Sequence, residues 1–184
     1  MARTLEVRRH SLRKNGGGSQ LSQAGVDLAR RIGGTIGPFD LVVTSVSPRA
    51  RETAIAMGFA VDHELITLTH DDALYAELEA SGYAQSADPF THLAAVCARQ
   101  GPTRLYAHAL AAMWRDLLTP LADGASVLVI GHSGEIDLAL VAAFPDADHA
   151  AWGAAFAPCE GAVLEFSGDL ARFTSIRLRR VEAS

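Results

Sequence analysis

Val127-Leu128-Val129-Ile130 is an unbroken apolar run between Ser126 and Gly131. A strand wetted on one face alternates polar and apolar residues. A strand without that alternation is covered on both faces, which is the habit of parallel sheets flanked by helices. The run leads into Glu135 to Phe144, which reads as a helix stopped by Pro145. The same strand-then-helix order recurs along the chain. Thr4 to Arg8 predicts a first strand, and Asn15 to Ser19, rich in glycine, predicts a loop. Ser22 to Ile32 predicts a helix with Val26, Leu28, Ala29 and Ile32 on one face, Ser22 as its cap and Gly33-Gly34 as its stop. Leu41 to Val43 predicts a buried strand, followed by a helix opened by Pro48 and ended near Met57. A further strand is expected at Leu65 to Leu68, and helices at Leu74 to Ala80, Phe90 to Arg99 and Thr103 to Leu121. Ala162 to Phe166 and Phe173 to Leu178 predict closing strands. This order predicts an α/β chain, a three-layer α/β/α sandwich with a mostly parallel central sheet. At about 150 residues per domain, 184 residues make one domain, 1–184.

Composition removes several function classes. Sixteen basic against 21 acidic residues leave a formal charge of −5, which argues against general nucleic-acid binding. No apolar run approaches the ~18 residues of a membrane span, so no membrane partner is expected. The start, Met1 to Arg9, has no apolar signal region, and Cys97 and Cys159 do not make a disulfide framework. A cytoplasmic protein with two core thiols is expected. Lys14 is the single lysine against 15 arginines, a bias of genomic background, so an arginine needs its context before it counts as functional.

That context is present after three of the strands. The first is followed by Arg9-His10-Ser11-Leu12-Arg13, the second by Thr44-Ser45-Val46-Ser47-Pro48-Arg49, and the apolar run by Gly131-His132-Ser133. In parallel sheets, ligands bind beyond the carboxyl ends of the strands. If these strands are neighbours, two histidines and two or three arginines converge there. A phosphate is the natural ligand of such a cluster. Guanidinium groups grip its oxygens in pairs, and an imidazole attacks phosphorus as a nucleophile. Helices starting after Ser22, Pro48 and Gly134 add positive N-terminal ends.

These motifs resemble the histidine phosphatase, or phosphoglycerate mutase-like, superfamily along nearly the whole chain. Arg9-His10-Ser11 resembles its opening Arg-His-Gly, and Leu21-Ser22-Gln23-Ala24-Gly25 its first helix start. Ser45 to Ala54 resembles its Ser-Pro-Leu-x-Arg-Ala-x-x-Thr-Ala segment, with the proline displaced to Pro48, and Val127 to His132 its strand ending in a second histidine. The resemblance implies a phosphoglycerate mutase-like fold and a metal-independent phosphatase without cofactor. It would hydrolyse a phosphomonoester or phosphohistidine through a phosphohistidine on His10. It implies Arg9, Arg49 and His132 as phosphate-binding catalytic partners and Arg13 as a further phosphate contact. The implied partner is a phosphorylated small molecule or a phosphohistidine protein, in the manner of small SixA-like or broad-specificity phosphatases. Ser11 in place of glycine would add a hydroxyl beside the phosphate. A carboxylic acid must protonate the leaving group. Glu77 is the first choice, with Asp72, Glu79 and Glu135 as rivals, and no conventional acid, in the manner of SixA-type phosphatases, as the remaining alternative. Residues 69–124 are expected to cap the pocket, and Gly16 to Gly18 to form a flap at its rim.

Other readings carry less. Phosphoglycerate mutase-type transfer usually comes with substrate-binding insertions not found here. A domain that binds a phosphorylated ligand without turnover is a further alternative. Gly131-His132-Ser133-Gly134-Glu135 nearly matches the nucleophile elbow of serine hydrolases, but Glu135 replaces the last glycine and His149 is the only later histidine. The remaining histidines show no metal-binding spacing.

Overall fold

The computed structural model describes residues 1–16, 18–66 and 72–181. Six strands run β1 (Arg3–Arg9), β2 (Leu41–Ser45), β3 (His63–Leu65), β4 (Ser126–Gly131), β5 (Gly161–Ser167) and β6 (Arg172–Arg179). Among the described residues the α-helices run α1 (Gln23–Gly33), α2 (Pro48–Ala56), α3 (Asp72–Ser81), α4 (Pro89–Cys97), α5 (Pro102–Leu118) and α6 (Glu135–Ala143). The strands form one sheet in the order β3-β2-β4-β1-β5-β6. Strands β3, β2, β4 and β1 are parallel, and the closing strands β5 and β6 add two antiparallel pairings beside β1.

The apolar run at Val127 occupies β4, in the sheet interior, and serves two cores. Val127 and Val129 pack with Leu5 and Val7 of β1, Trp114 and Leu118 of α5 and Leu138 of α6. Leu128 and Ile130 face the other way, onto Ala29 of α1 and Ala50 and Ala54 of α2. All four β4 side chains are fully buried. At roughly 1.5–3 kcal/mol for each such side chain, this strand anchors both layers. Gly33 lets α1 approach α2, since a Cβ there would lie 2.0 Å from the Met57 carbonyl oxygen.

Most element ends lie within one or two residues of expectation, and two differences stand out. The third strand is His63–Leu65 rather than 65–68, because it pairs with Val43–Ser45 of β2; residues 67 and 68 lie outside the described residues. Helix α5 ends at Leu118 rather than Leu121. Within the 69–124 span expected as a cap, residues 69–71 lie outside the described residues. Leu74, Leu78, Leu93 and Trp114 from its three helices all join the core on β1 and β4.

Register is what positions the site. Arg9 of β1 lies opposite Gly131 of β4, and Ile130 lies opposite Thr44 of β2. Parallel neighbours therefore end at one level, and the segments after Arg9, Ser45 and Gly131 leave the sheet together.

Candidate active site

His10 is the first residue beyond β1. Its backbone N–H donates to the Gly131 carbonyl at 2.9 Å, tying it to the end of β4. Its Nδ1 lies 2.7 Å from the Ser11 carbonyl oxygen. A carbonyl only accepts, so Nδ1 carries the proton and the lone pair of the neutral ring is on Nε2. Burial lowers the His10 pKa to about 4, opposed by the Ser11 hydrogen bond and assisted by Arg49, Arg9 and Arg13. The imidazole is thus neutral and nucleophilic at neutral pH.

His132 follows β4, with its ring centroid 5.2 Å from that of His10. Arg49 Nη2 donates to His132 Nδ1 at 3.1 Å, so the His132 proton is on Nε2, which donates to Ser45 Oγ at 3.0 Å. Arg49 stands in the first turn of α2, and its Nη1 donates to Ser19 Oγ at 3.1 Å. Arg9 is braced by the Phe156 carbonyl at 2.6 Å. These groups surround a cavity of about 390 Å³ lined by Arg9, His10, Arg13, Arg49, His132 and neighbouring loop residues. Five of the side chains singled out from sequence are therefore brought together. Ser19 and Ser45 were not singled out. Ser45 was readable as the last residue of a strand pointing at the cluster, whereas Ser19 sits in a glycine-rich loop whose path no local pattern reveals. Gly17 of that expected flap lies outside the described residues.

Ser11 lines the cavity as expected, but its hydroxyl proton is directed away from it. It is fully buried, and its Oγ donates to the Gly25 carbonyl at 2.7 Å, while its N–H donates to Thr53 Oγ1 at 2.9 Å. Gly25 is required there, since a Cβ would lie 2.1 Å from the Leu12 carbonyl oxygen. Ser133, the candidate hydrolase nucleophile, donates to Asp137 Oδ2 at 3.3 Å, and the adjacent His132 has its nitrogens on Arg49 and Ser45. His149, the later histidine, has its Nε2 3.0 Å from the Phe144 carbonyl oxygen.

The carboxylates fall into different places. Glu77 is the first choice of proton donor in the sequence. Its Oε2 accepts from Thr103 N–H at 2.7 Å and from the Thr103 hydroxyl, so it caps the start of α5. Those bonds pull its pKa below the usual value, which keeps it ionised rather than acidic. Asp72 is exposed in the first turn of α3. Glu79 lines a second cavity together with Glu135. Glu135 is 2% exposed, and neither of its carboxylate oxygens has a hydrogen-bond partner among the described residues. Burial raises its pKa to about 8, against the pull of Arg49. Asp137 is fully buried, accepts from Gly134 N–H and the Tyr83 hydroxyl, and is also raised by burial.

Among the described residues, no group of three or more His, Cys, Asp or Glu side chains is placed to hold a metal ion. Cys97 and Cys159 are both buried and free. No described helix is long and apolar enough to cross a membrane.

No protein-family model matches the chain, and no curated protein matches it by sequence. Solved structures do. The phosphoserine phosphatase of Entamoeba histolytica in complex with 3-phosphoglyceric acid matches with a TM-score of 0.67 at 13% identity, over 98% of each chain. The phosphoglycerate mutase of Bacillus anthracis matches at 0.65 and 19% identity, over 98% of this chain and 92% of that one. A mycobacterial glucosyl-3-phosphoglycerate phosphatase matches at 0.62 and 19% identity, over 100% of both. The chain has the phosphoglycerate mutase-like fold.

Proposed function

We propose that this protein is a histidine phosphatase that hydrolyses a phosphomonoester or phosphohistidine through a phosphohistidine on His10. The observation that carries the reading is the His10 ring, held with Nδ1 protonated and bordered by Arg9, Arg13, Arg49 and His132 around one cavity. The arginines and His132 hold the phosphoryl oxygens, so positive charge is already in place where negative charge develops. His10 Nε2 attacks phosphorus, and the bond to the leaving oxygen breaks. Glu135 gives that oxygen its proton. The Glu135 carboxylate then takes a proton from water, whose oxygen attacks the phosphohistidine and releases inorganic phosphate. Glu135 is preferred to Glu77 because it is buried, has no hydrogen-bond partner among the described residues and stands two residues after Ser133, which lines both cavities. Helix α3 and the turn after it form the part of the cap that selects substrates.

The test is hydrolysis of p-nitrophenyl phosphate with EDTA present, comparing the native protein with His10→Ala. Turnover that survives EDTA and is lost in the variant is expected. Equal rates in the two proteins would refute the mechanism.

A further inference from the structure

The second cavity, about 380 Å³, is walled by Leu74 and Leu78 of α3, Tyr83 and Gln85 of the following turn, and Gly134 and Glu135 at the start of α6. It adjoins the phosphate cavity, because Ser133 lines both. Its volume is that of a small-molecule site. Its chemistry is opposite to that of its neighbour. No arginine, lysine or histidine lines it among the described residues, and its two carboxyl groups are Glu79, exposed at the rim, and Glu135, held neutral by burial. Two of its polar walls are turned elsewhere: the Tyr83 and Ser133 hydroxyls both donate to Asp137, leaving the Tyr83 ring as an apolar surface. Leu74 and Leu78 are buried, while Gln85 is exposed at the rim.

A phosphorylated carboxylic acid placed with its phosphate on the arginines would bring its carboxylate into this chamber, against Leu74, Leu78 and the Tyr83 ring. No cation among the described walls would offset the lost hydration, which costs far more for an ion than for an apolar group. A wall that leaves the wrong substrate's charge desolvated and unpaired gives specificity without any new attraction. Building on the phosphatase reading, we propose that this chamber is the leaving-group subsite, and that the substrates are small phosphomonoesters of largely apolar alcohols that carry no carboxylate.

Binding of two non-hydrolysable phosphonates by titration calorimetry tests this independently of turnover. Benzylphosphonate is expected to bind at least tenfold tighter than 3-phosphonopropionate, which carries a carboxylate. Equal or tighter binding of 3-phosphonopropionate, or no binding of benzylphosphonate, overturns the proposal. Gln85→Lys places a cation at the exposed rim without touching the core. It is expected to narrow the preference over 3-phosphonopropionate at least fivefold, and an unchanged preference overturns the assignment of the chamber. Selective binding without His10-dependent hydrolysis would refute the phosphatase reading and leave the subsite standing. Hydrolysis without selectivity would do the reverse.

Discussion

Replacing Glu135 by Gln keeps the shape of a buried side chain and removes its charge. Glu135 has a pKa of about 8 in the fold against 4.5 ordinarily. The folded protein prefers the neutral acid, so its contribution to stability is complete below pH 4.5 and is lost as pH rises towards 8. Each pH unit in that window removes about 1.4 kcal/mol, so about 4 kcal/mol is gone at pH 8. His10 works in the opposite sense, with a pKa of about 4 in the fold against 6.5. Its contribution is complete above pH 6.5 and is lost as pH falls towards 4, about 3 kcal/mol in all. The two slopes oppose each other between pH 4.5 and 6.5, and Glu135 acts alone between 6.5 and 8. Glu135→Gln removes only the falling part. Its stability relative to the native protein should therefore rise by about 4 kcal/mol from pH 4.5 to pH 8. Urea unfolding followed by fluorescence of the buried Trp114 and Trp152 measures this. With a slope of about 2 kcal/mol per molar urea, the gap between midpoints should widen by about 2 M. A gap that is the same at pH 4.5 and pH 8 would show that Glu135 is not held neutral and would remove the argument for its acid role.

The same two groups should shape activity: kcat/KM is expected to fall below about pH 4 as His10 protonates and above about pH 8 as Glu135 ionises. A pH–rate profile that keeps its alkaline limb in Glu135→Gln would count against the assignment. Arg49→Ala removes a charged donor from the cavity and should weaken inhibition by inorganic phosphate about 10- to 100-fold, as read by its inhibition constant. Glu77→Ala should leave turnover nearly unchanged but cost about 1 kcal/mol in thermal or urea unfolding, since it removes the cap on Thr103 of α5. Gly25→Ala drives a Cβ to 2.1 Å from the Leu12 carbonyl and should destabilise by about 1–3 kcal/mol in the same unfolding assay.

Local rules reach as far as the elements and the ligand class. The unalternating run at Val127 to Ile130 demands cover on both faces, and both cores meet on it. Arginine and histidine after three strand ends already pointed to phosphate, because residue type and strand order carry that signal. Long-range packing decided the rest. Glu77 and Glu135 are equivalent as letters. The fold sets one against Thr103 at the start of α5, where hydrogen bonds keep it ionised. It buries the other without a partner at the start of α6, where desolvation keeps it neutral. Ser11 reads as a hydroxyl near phosphate until Gly25 of α1 arrives to accept its hydrogen bond. A carboxyl's proton affinity and a hydroxyl's direction depend on which distant groups exclude water from them, and only the tertiary structure assembles those groups.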